Sequence, residues 1–219
     1  MKILQVPFLK TISTETSIAK ASQLLETSSI GSTAIDCLNW PDEFPEKPTV
    51  RFKVVRIVDG LLIKFYVEEK YTSATLTCDN QPVYKDSCVE LFIDPSSDGT
   101  YYNFEFNAIG TLLLGFGTNR HHREKALPEI TKQIKRFSSL GTLPFNSIIN
   151  CDAWDLTVMI PYSAFWKHTV RSLEEKSIKA NFQKCGDDLV VPHYLTWNPI
   201  PTLHPDYHLP EFFGILEFI

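Results

Sequence analysis

The chain predicts an all-β fold, an antiparallel β-sandwich with one or two short helices, and three observations carry that expectation. Short runs of alternating apolar and polar residues recur along the chain, separated by Gly, Pro and Asp turns with little helical periodicity between them. Aromatic residues are numerous, with 15 Phe, eight Tyr and four Trp, and these favour pleated, half-buried surfaces. The length of 219 residues also suits one β domain, since sandwiches and barrels run to ~200–250 residues as a single unit.

The elements follow in order. Residues 14–28 carry Ile18, Ala21, Leu24 and Leu25 at near-helical spacing after Thr and Ser caps, which predicts a short helix. Residues 39–49 hold three prolines and read as an extended strap, with Trp40 pinning it to the domain. On this reading residues 1–49 form a helix and strap packed on a sandwich of residues 50–219. Two strand-like runs, 51–58 and 61–70, flank Asp59-Gly60, a pair suited to the positive φ of a type I′ hairpin turn. Runs at 88–94, 101–108 and 111–117, with turns at 95–99 and at Gly110, predict a three-stranded meander. Alternation at 154–160 and 178–185, then strand-like residues at 193–197 and 212–219, complete the set. Trp154 and Trp166 fall in patterns that suit the core.

Composition narrows the class of function. Hydrophobic residues make up 43% and charged residues 21%, as in ordinary globular proteins. The net charge of −5 gives no basic footprint for nucleic acid. The basic stretch from Arg120 to Lys125 is short, interrupted by Glu124, and reads as a solvated loop. Five cysteines (Cys37, Cys78, Cys88, Cys151 and Cys185), without CxxC spacing, read as free thiols in a reducing compartment. No run approaches the ~18 apolar residues of a membrane span. The first residues lack the apolar core of a signal peptide, so the chain as written reads as cytoplasmic; removal of an export signal would make it extracellular or periplasmic. The oligomeric state is not legible.

Candidate chemistry lies on the strands. Asn103, Glu105 and Asn107 alternate with Phe104 and Phe106, and Asn181 and Gln183 alternate with Ala180 and Phe182. Period-2 geometry puts the polar groups on one face. Glu90 interrupts the apolar run of its own strand. Carboxylates accept hydrogen bonds and amides both donate and accept, the chemistry that sugar hydroxyls need. A solvated outer face accounts for the same pattern.

Several stretches resemble the family 9 carbohydrate-binding modules, in particular their stand-alone relatives in polysaccharide-degrading gut bacteria. They are DSCVELFIDP (86–95), YYNFEFNAIGTLLLGFG (101–117), ANFQKCGD (180–187), PHYLTWNPI (192–200) and PDYHLPEFFGILEF (205–218). The resemblance implies a sandwich that holds the free ends of β-linked glucans or xylans between clamp aromatics, in modules attached to xylan-degrading enzymes. The clamp positions fall near Val83-Tyr84 and at Tyr207, and the polar contacts at Glu90, Glu105, Asn181 and Gln183, with His204 at the edge. Trp197, held by the prolines after it, is a further candidate contact, with an interior aromatic as the alternative. The chain departs from the pattern where the family carries Trp at both clamp positions and a basic residue at Glu105. Members also carry structural calcium, though no cofactor is required and no ligand set maps onto this chain. Asp94–Gly99 superficially fits a calcium loop, but its third position is Ser and strands flank it, so a hairpin turn is the better reading.

Two functions remain to be weighed. The first is a non-catalytic module that binds an oligo- or polysaccharide of xylan or glucan type on an exposed aromatic and polar face. The alternative is a xylanase-like glycoside hydrolase using Glu90 and Glu105, because a retaining pair needs carboxyls ~5 Å apart and an inverting pair ~6.5–9.5 Å. An assembly role is a third reading.

Overall fold

A computed structural model describes residues 1–149 and 153–219; Cys151, one of the expected free thiols, lies outside the described residues. The first half runs β1 (Ile3–Val6), α1 (Ile18–Glu26), β2 (Thr33–Ala34), β3 (Cys37–Leu38), β4 (Thr49–Ile57), β5 (Gly60–Glu68), β6 (Tyr71–Ala74), β7 (Cys88–Asp94) and β8 (Tyr101–Asn107). The second half runs β9 (Leu112–Gly117), β10 (Glu124–Lys125), α2 (Pro128–Thr131), β11 (Lys135–Ser138), β12 (Phe145–Ile149), β13 (Trp154–Pro161), β14 (Ser177–Cys185), β15 (Tyr194–Thr196) and β16 (Gly214–Phe218). Among the described residues these build a nine-stranded sheet around β16-β14-β7-β8-β9, a five-stranded sheet ordered β11-β13-β5-β4-β2, and a β12-β6 ribbon. β1 joins β16 in parallel, and the other strand pairs are antiparallel. The β-sandwich with little helix is therefore the observed fold. Residues 1–49 do more than pack on it, since β1, β2 and β3 are strands of its two large sheets.

The two sheets meet through side chains that alternate along each strand. Val89, Leu91 and Ile93 of β7, Phe104 and Phe106 of β8, and Phe182 of β14 face Phe52 of β4, Ile63 and Phe65 of β5, and Leu156 and Val158 of β13. At the centre the rings of Phe52 and Phe182 stack with centroids 3.8 Å apart. Helix α1 covers the other side of the smaller sheet, where Ala21 and Leu25 pack on Val55, Leu62 and Met159. Ser17 stands at its N-cap, yet its side chain makes no capping bond. A nine-residue helix is marginal on its own, so this packing is what holds it.

The first hairpin differs from expectation in one detail. Ile57 pairs with Gly60, so the turn residues are Val58 and Asp59, and neither they nor Gly60 has positive φ. Gly60 is required for space instead of dihedral freedom: a Cβ there would lie 2.3 Å from the carbonyl oxygen of Ile160. The expected turns at 95–99 and at Gly110 do use left-handed glycine, with φ +85° at both Gly99 and Gly110.

Replacing Phe182 by Ala removes half of the central stack from a fully buried site. Such truncations cost ~3–5 kcal/mol, so Phe182→Ala is expected to lower the denaturant midpoint sharply. Leu143→Ala, at a side chain 79% exposed, should stay within ~0.5 kcal/mol of the parent.

Candidate functional site

The outward positions of β14, β7 and β8 form a square lattice. Gln183 pairs with Glu90 and Glu90 with Glu105, so three polar side chains lie in one row across the strands. Cys185 and Cys88 pair in the next row, and Asn181, Phe92 and Asn103 form the row on the other side. The alternation places these groups on one face as the sequence implies, but that face is not open to solvent. Glu90, Glu105, Asn181 and Gln183 are 2%, 4%, 0% and 0% exposed. The segment 194–213 and the proline strap lie over it, contributing Trp40, Phe44, Ile200, Tyr207 and Phe213 to a second apolar cluster with Phe92, Tyr101 and Cys185. Trp40 pins the strap as expected, donating from Nε1 to the Thr202 carbonyl at 2.8 Å.

The cover leaves a pocket of about 260 Å³. Glu90, Glu105 and Cys185 line it from the sheet, Tyr84, Tyr194 and Tyr207 bring aromatic wall, and Arg120, Arg123, Lys125, Asp187 and His208 bring charge and hydrogen-bonding capacity. Arg123 is anchored by Nε to Asn103 Oδ1 at 2.8 Å and by Nη2 to the Tyr101 carbonyl at 2.9 Å, with its guanidinium 4.2 Å from the Tyr101 ring centroid. Asn103 in turn donates to Glu105 Oε1 at 2.6 Å. Gly115 makes room for this arrangement, because a Cβ there would meet Asn103 Oδ1 at 2.6 Å. On the other side Tyr207 donates to the Lys184 carbonyl at 3.0 Å, and His208 Nδ1 lies 2.9 Å from the Tyr101 hydroxyl.

The acid groups are held against ionisation. Burial, opposed in part by the Asn103 amide and Arg123, pushes the Glu105 carboxyl up to about 7. Burial and then the neighbouring Glu105 hold Glu90 well above the ordinary carboxylate range, with the Cys185 thiol pulling the other way. Asp187 is raised by burial, against a bond from Tyr194. His208 is pushed down to about 3 by burial and the Arg123 charge, so its ring is neutral. Glu90 Oε2 and Glu105 Oε2 are buried without a hydrogen-bond partner. Two acceptors or protonated donors thus remain available to a ligand.

Of the residues expected from sequence, Tyr84, Glu90, Glu105 and Tyr207 come together in this pocket. The others are placed elsewhere. Asn181 sits behind the lining, with Oδ1 accepting from the Asn198 amide at 2.8 Å and Nδ2 donating to its carbonyl at 3.0 Å. Gln183 is buried beside Glu90 outside the lining, with neither amide atom partnered. Trp197 is 2% exposed and packs edge-on to Phe52 and Phe182 in the core, which is the interior alternative. His204 has a side chain 84% exposed, 3.9 Å from Glu43, away from the lining. Val83, the other residue at the first clamp position, is fully buried, whereas Tyr84 is half-buried and faces the pocket.

Sequence reasoning missed Arg120 and Arg123, read as solvated loop, and also Asp187, Tyr194 and His208. The signal that could have found Arg123 is Gly115 opposite Asn103, a space with no side chain of its own. In the Asp94–Gly99 loop, Asp94 accepts from the Ser96 and Gly99 amides at 3.2 and 3.0 Å, as in a hairpin turn. The one compact group of metal-type donors among the described residues is Cys88, Glu90 and Cys185, too rich in sulfur for a hard cation that takes oxygen.

Residues 19–218 match the model of a family described as carbohydrate-binding family 9. The chain is similar in structure to a Bacteroides uniformis protein described as a candidate carbohydrate-binding protein, at 38% identity and TM-score 0.95 over 100% of this chain and 99% of that one. Its fold is shared by a family 9 module of Caldicellulosiruptor kristjanssonii solved with glucose, at 13% identity and TM-score 0.56 over 100% and 96% of the two chains. The same holds for a family 9 module of that organism solved with cellotriose, at 12% identity and TM-score 0.58 over 99% and 93%. No curated protein matches the chain significantly.

The raised carboxyls give stability a pH dependence of definite sign. A carboxyl at 4.5 when unfolded and about 7 when folded stabilises the fold fully below the lower value. That contribution is lost as pH rises through the upper one. The thermal midpoint should therefore fall between about pH 5 and pH 8. In Glu105→Gln the fall should be shallower, and an unchanged slope in that variant would refute the assignment.

Proposed function

The chain belongs to carbohydrate-binding family 9, and from that premise we propose that the covered pocket binds the end of a β-linked gluco- or xylo-oligosaccharide without cleaving it. The observation that carries this reading is one pocket in which tyrosine rings stand beside buried, unpartnered carboxyl oxygens. A pyranose offers apolar C–H faces that pack on aromatic rings and hydroxyls that pair with carboxyl and guanidinium groups. At about 260 Å³ the pocket falls just below the ~300–1,000 Å³ of drug-sized ligand sites, which suits a chain end better than a polymer face. Tyrosine in place of a Trp clamp offers less stacking area. Polar contacts to Glu105, Arg123 and Asp187 then carry a larger share of recognition.

A second reading has one observation in its favour. Glu90 and Glu105 are directly opposed on neighbouring strands, both buried in the pocket and both raised. Cross-strand pairs have Cβ atoms ~4.5–5.5 Å apart, which suits the carboxyl spacing of a retaining glycosidase. The pocket also supplies the enclosure that an open sheet face would lack.

Calorimetric titration with cello- and xylo-oligosaccharides separates the two. Tyr84→Ala is expected to weaken binding at least tenfold, ~1.4 kcal/mol, while leaving the fold intact because the side chain is only half-buried. Tyr207 is a poorer probe, since its hydroxyl is bonded into the sheet. Silence across both oligosaccharide series would sink the binding reading. Release of reducing sugar that vanishes in Glu105→Gln would establish the hydrolase in its place.

A further inference from the structure

The floor of the pocket holds two thiols that sugar recognition does not use, beside Glu90, which it does. Cys88 and Cys185 face each other across β7 and β14, and Glu90 lies two residues along from Cys88 on the same side. The Cys185 thiol donates to Glu90 Oε1 at 3.1 Å and Cys88 Sγ lies 3.8 Å from the same oxygen. One donor atom from each of the three residues falls within 4.8 Å of the others. We propose that Cys88, Glu90 and Cys185 form a three-ligand site for a thiophilic divalent cation of the zinc class, with its fourth position open towards the pocket.

The geometry and donor chemistry agree. Tetrahedral zinc with bonds of ~2.3 Å to sulfur and ~2.0–2.2 Å to oxygen holds its donors ~3.5–3.8 Å apart, against 3.1 and 3.8 Å from Glu90 Oε1 to the two sulfurs. Three protein ligands and one open position is the arrangement of a site that exchanges its fourth ligand. All three residues are buried, and two of them, Glu90 and Cys185, line the pocket, which is the entry path. A separate observation also points to a missing ligand. Glu90 Oε2 and both amide atoms of Gln183, its partner across the strands, are buried with nothing to bond, although buried polar groups are nearly always paired. Soft thiolates exclude calcium and magnesium from such a set. Thiolate is the ligating form of cysteine, so entry of the cation displaces the thiol protons of Cys88 and Cys185, and affinity rises with pH.

The test uses the full chain, reduced and free of sugar, so its result does not depend on the binding reading above. Titration with Cd²⁺ and Zn²⁺ is expected to give, for Cd²⁺, a thiolate charge-transfer band that saturates at one equivalent. At ~100-fold excess over Kd, either ion should raise the thermal midpoint by ~5–10 °C. Both responses should disappear in the Cys88→Ser, Cys185→Ser double variant, with circular dichroism confirming its fold. Glu90→Gln should weaken them at least tenfold. Absence of band and shift in the reduced parent overturns the site. A response that persists in the double variant also overturns it and assigns the metal to other thiols. A mass two hydrogens lighter on exposure to air, with no metal response after reduction, would make the pair a disulfide instead.

Discussion

The central strands of the nine-stranded sheet are covered on both faces, and the rest of the molecule is arranged around that fact. Every residue of β7 and β8 is buried, an unusual state for antiparallel strands, which more often leave one face to water. Strict alternation then sorts their side chains into two interiors of different character. The inner one is apolar and closed by the Phe52–Phe182 stack. The outer one mixes aromatics with Glu90, Asn103 and Glu105 and keeps a void. A one-residue slip in register would exchange the two sets and bury carboxyls between the sheets. The apolar core thus fixes the site as firmly as the site's own contacts do.

The two interiors are joined at one end by a buried ionic contact. Lys184, fully buried, places Nζ 2.8 Å from Glu69 Oε2 and 2.7 Å from His193 Nε2. Glu69 also accepts from Trp154 Nε1 at 2.8 Å. Burial and the Lys184 charge drive His193 down to about 2, so its ring is neutral and accepts from the ammonium. A buried pair of this kind stabilises little in itself, but removing one partner leaves an uncompensated charge. Its place matters more than its strength. Lys184 belongs to β14, and its carbonyl receives the Tyr207 hydroxyl. The same residue therefore ties the pocket wall to the smaller sheet through Glu69 and Trp154.

What could be read from the sequence follows which signals are local. The long strands were legible because each carries its own alternation, as in 101–108 and 178–185. The short strands β1, β2, β3, β6, β10, β11 and β12 were not, since two to five residues barely show a period and owe their form to neighbours already in place. Site residues divide in the same way. Glu90 and Glu105 stood out as polar interruptions within strands, and Tyr84 and Tyr207 came from the family resemblance. Arg123 reaches the pocket through tertiary folding of a stretch whose composition is that of any loop, and Tyr194 from a three-residue strand whose own pattern does not show which way its ring faces. The error on exposure has the same root: period 2 tells which residues share a face and is silent on what covers it.

Covering the polar face also decides what kind of ligand the pocket can reward. Carboxyls on an open sheet would be ionised and hydrated, and a sugar would have to displace that water for modest return. Inside the pocket Glu90 and Glu105 have already lost their hydration, and each keeps one oxygen with no partner. A ligand hydroxyl placed there satisfies a group whose desolvation cost was met on folding, so the gain is larger than for the same contact at the surface. Because both carboxyls are held towards the protonated state, they can donate as well as accept. That suits the neutral hydroxyls of a sugar at these two positions, and it makes recognition there depend on the direction of individual hydroxyls.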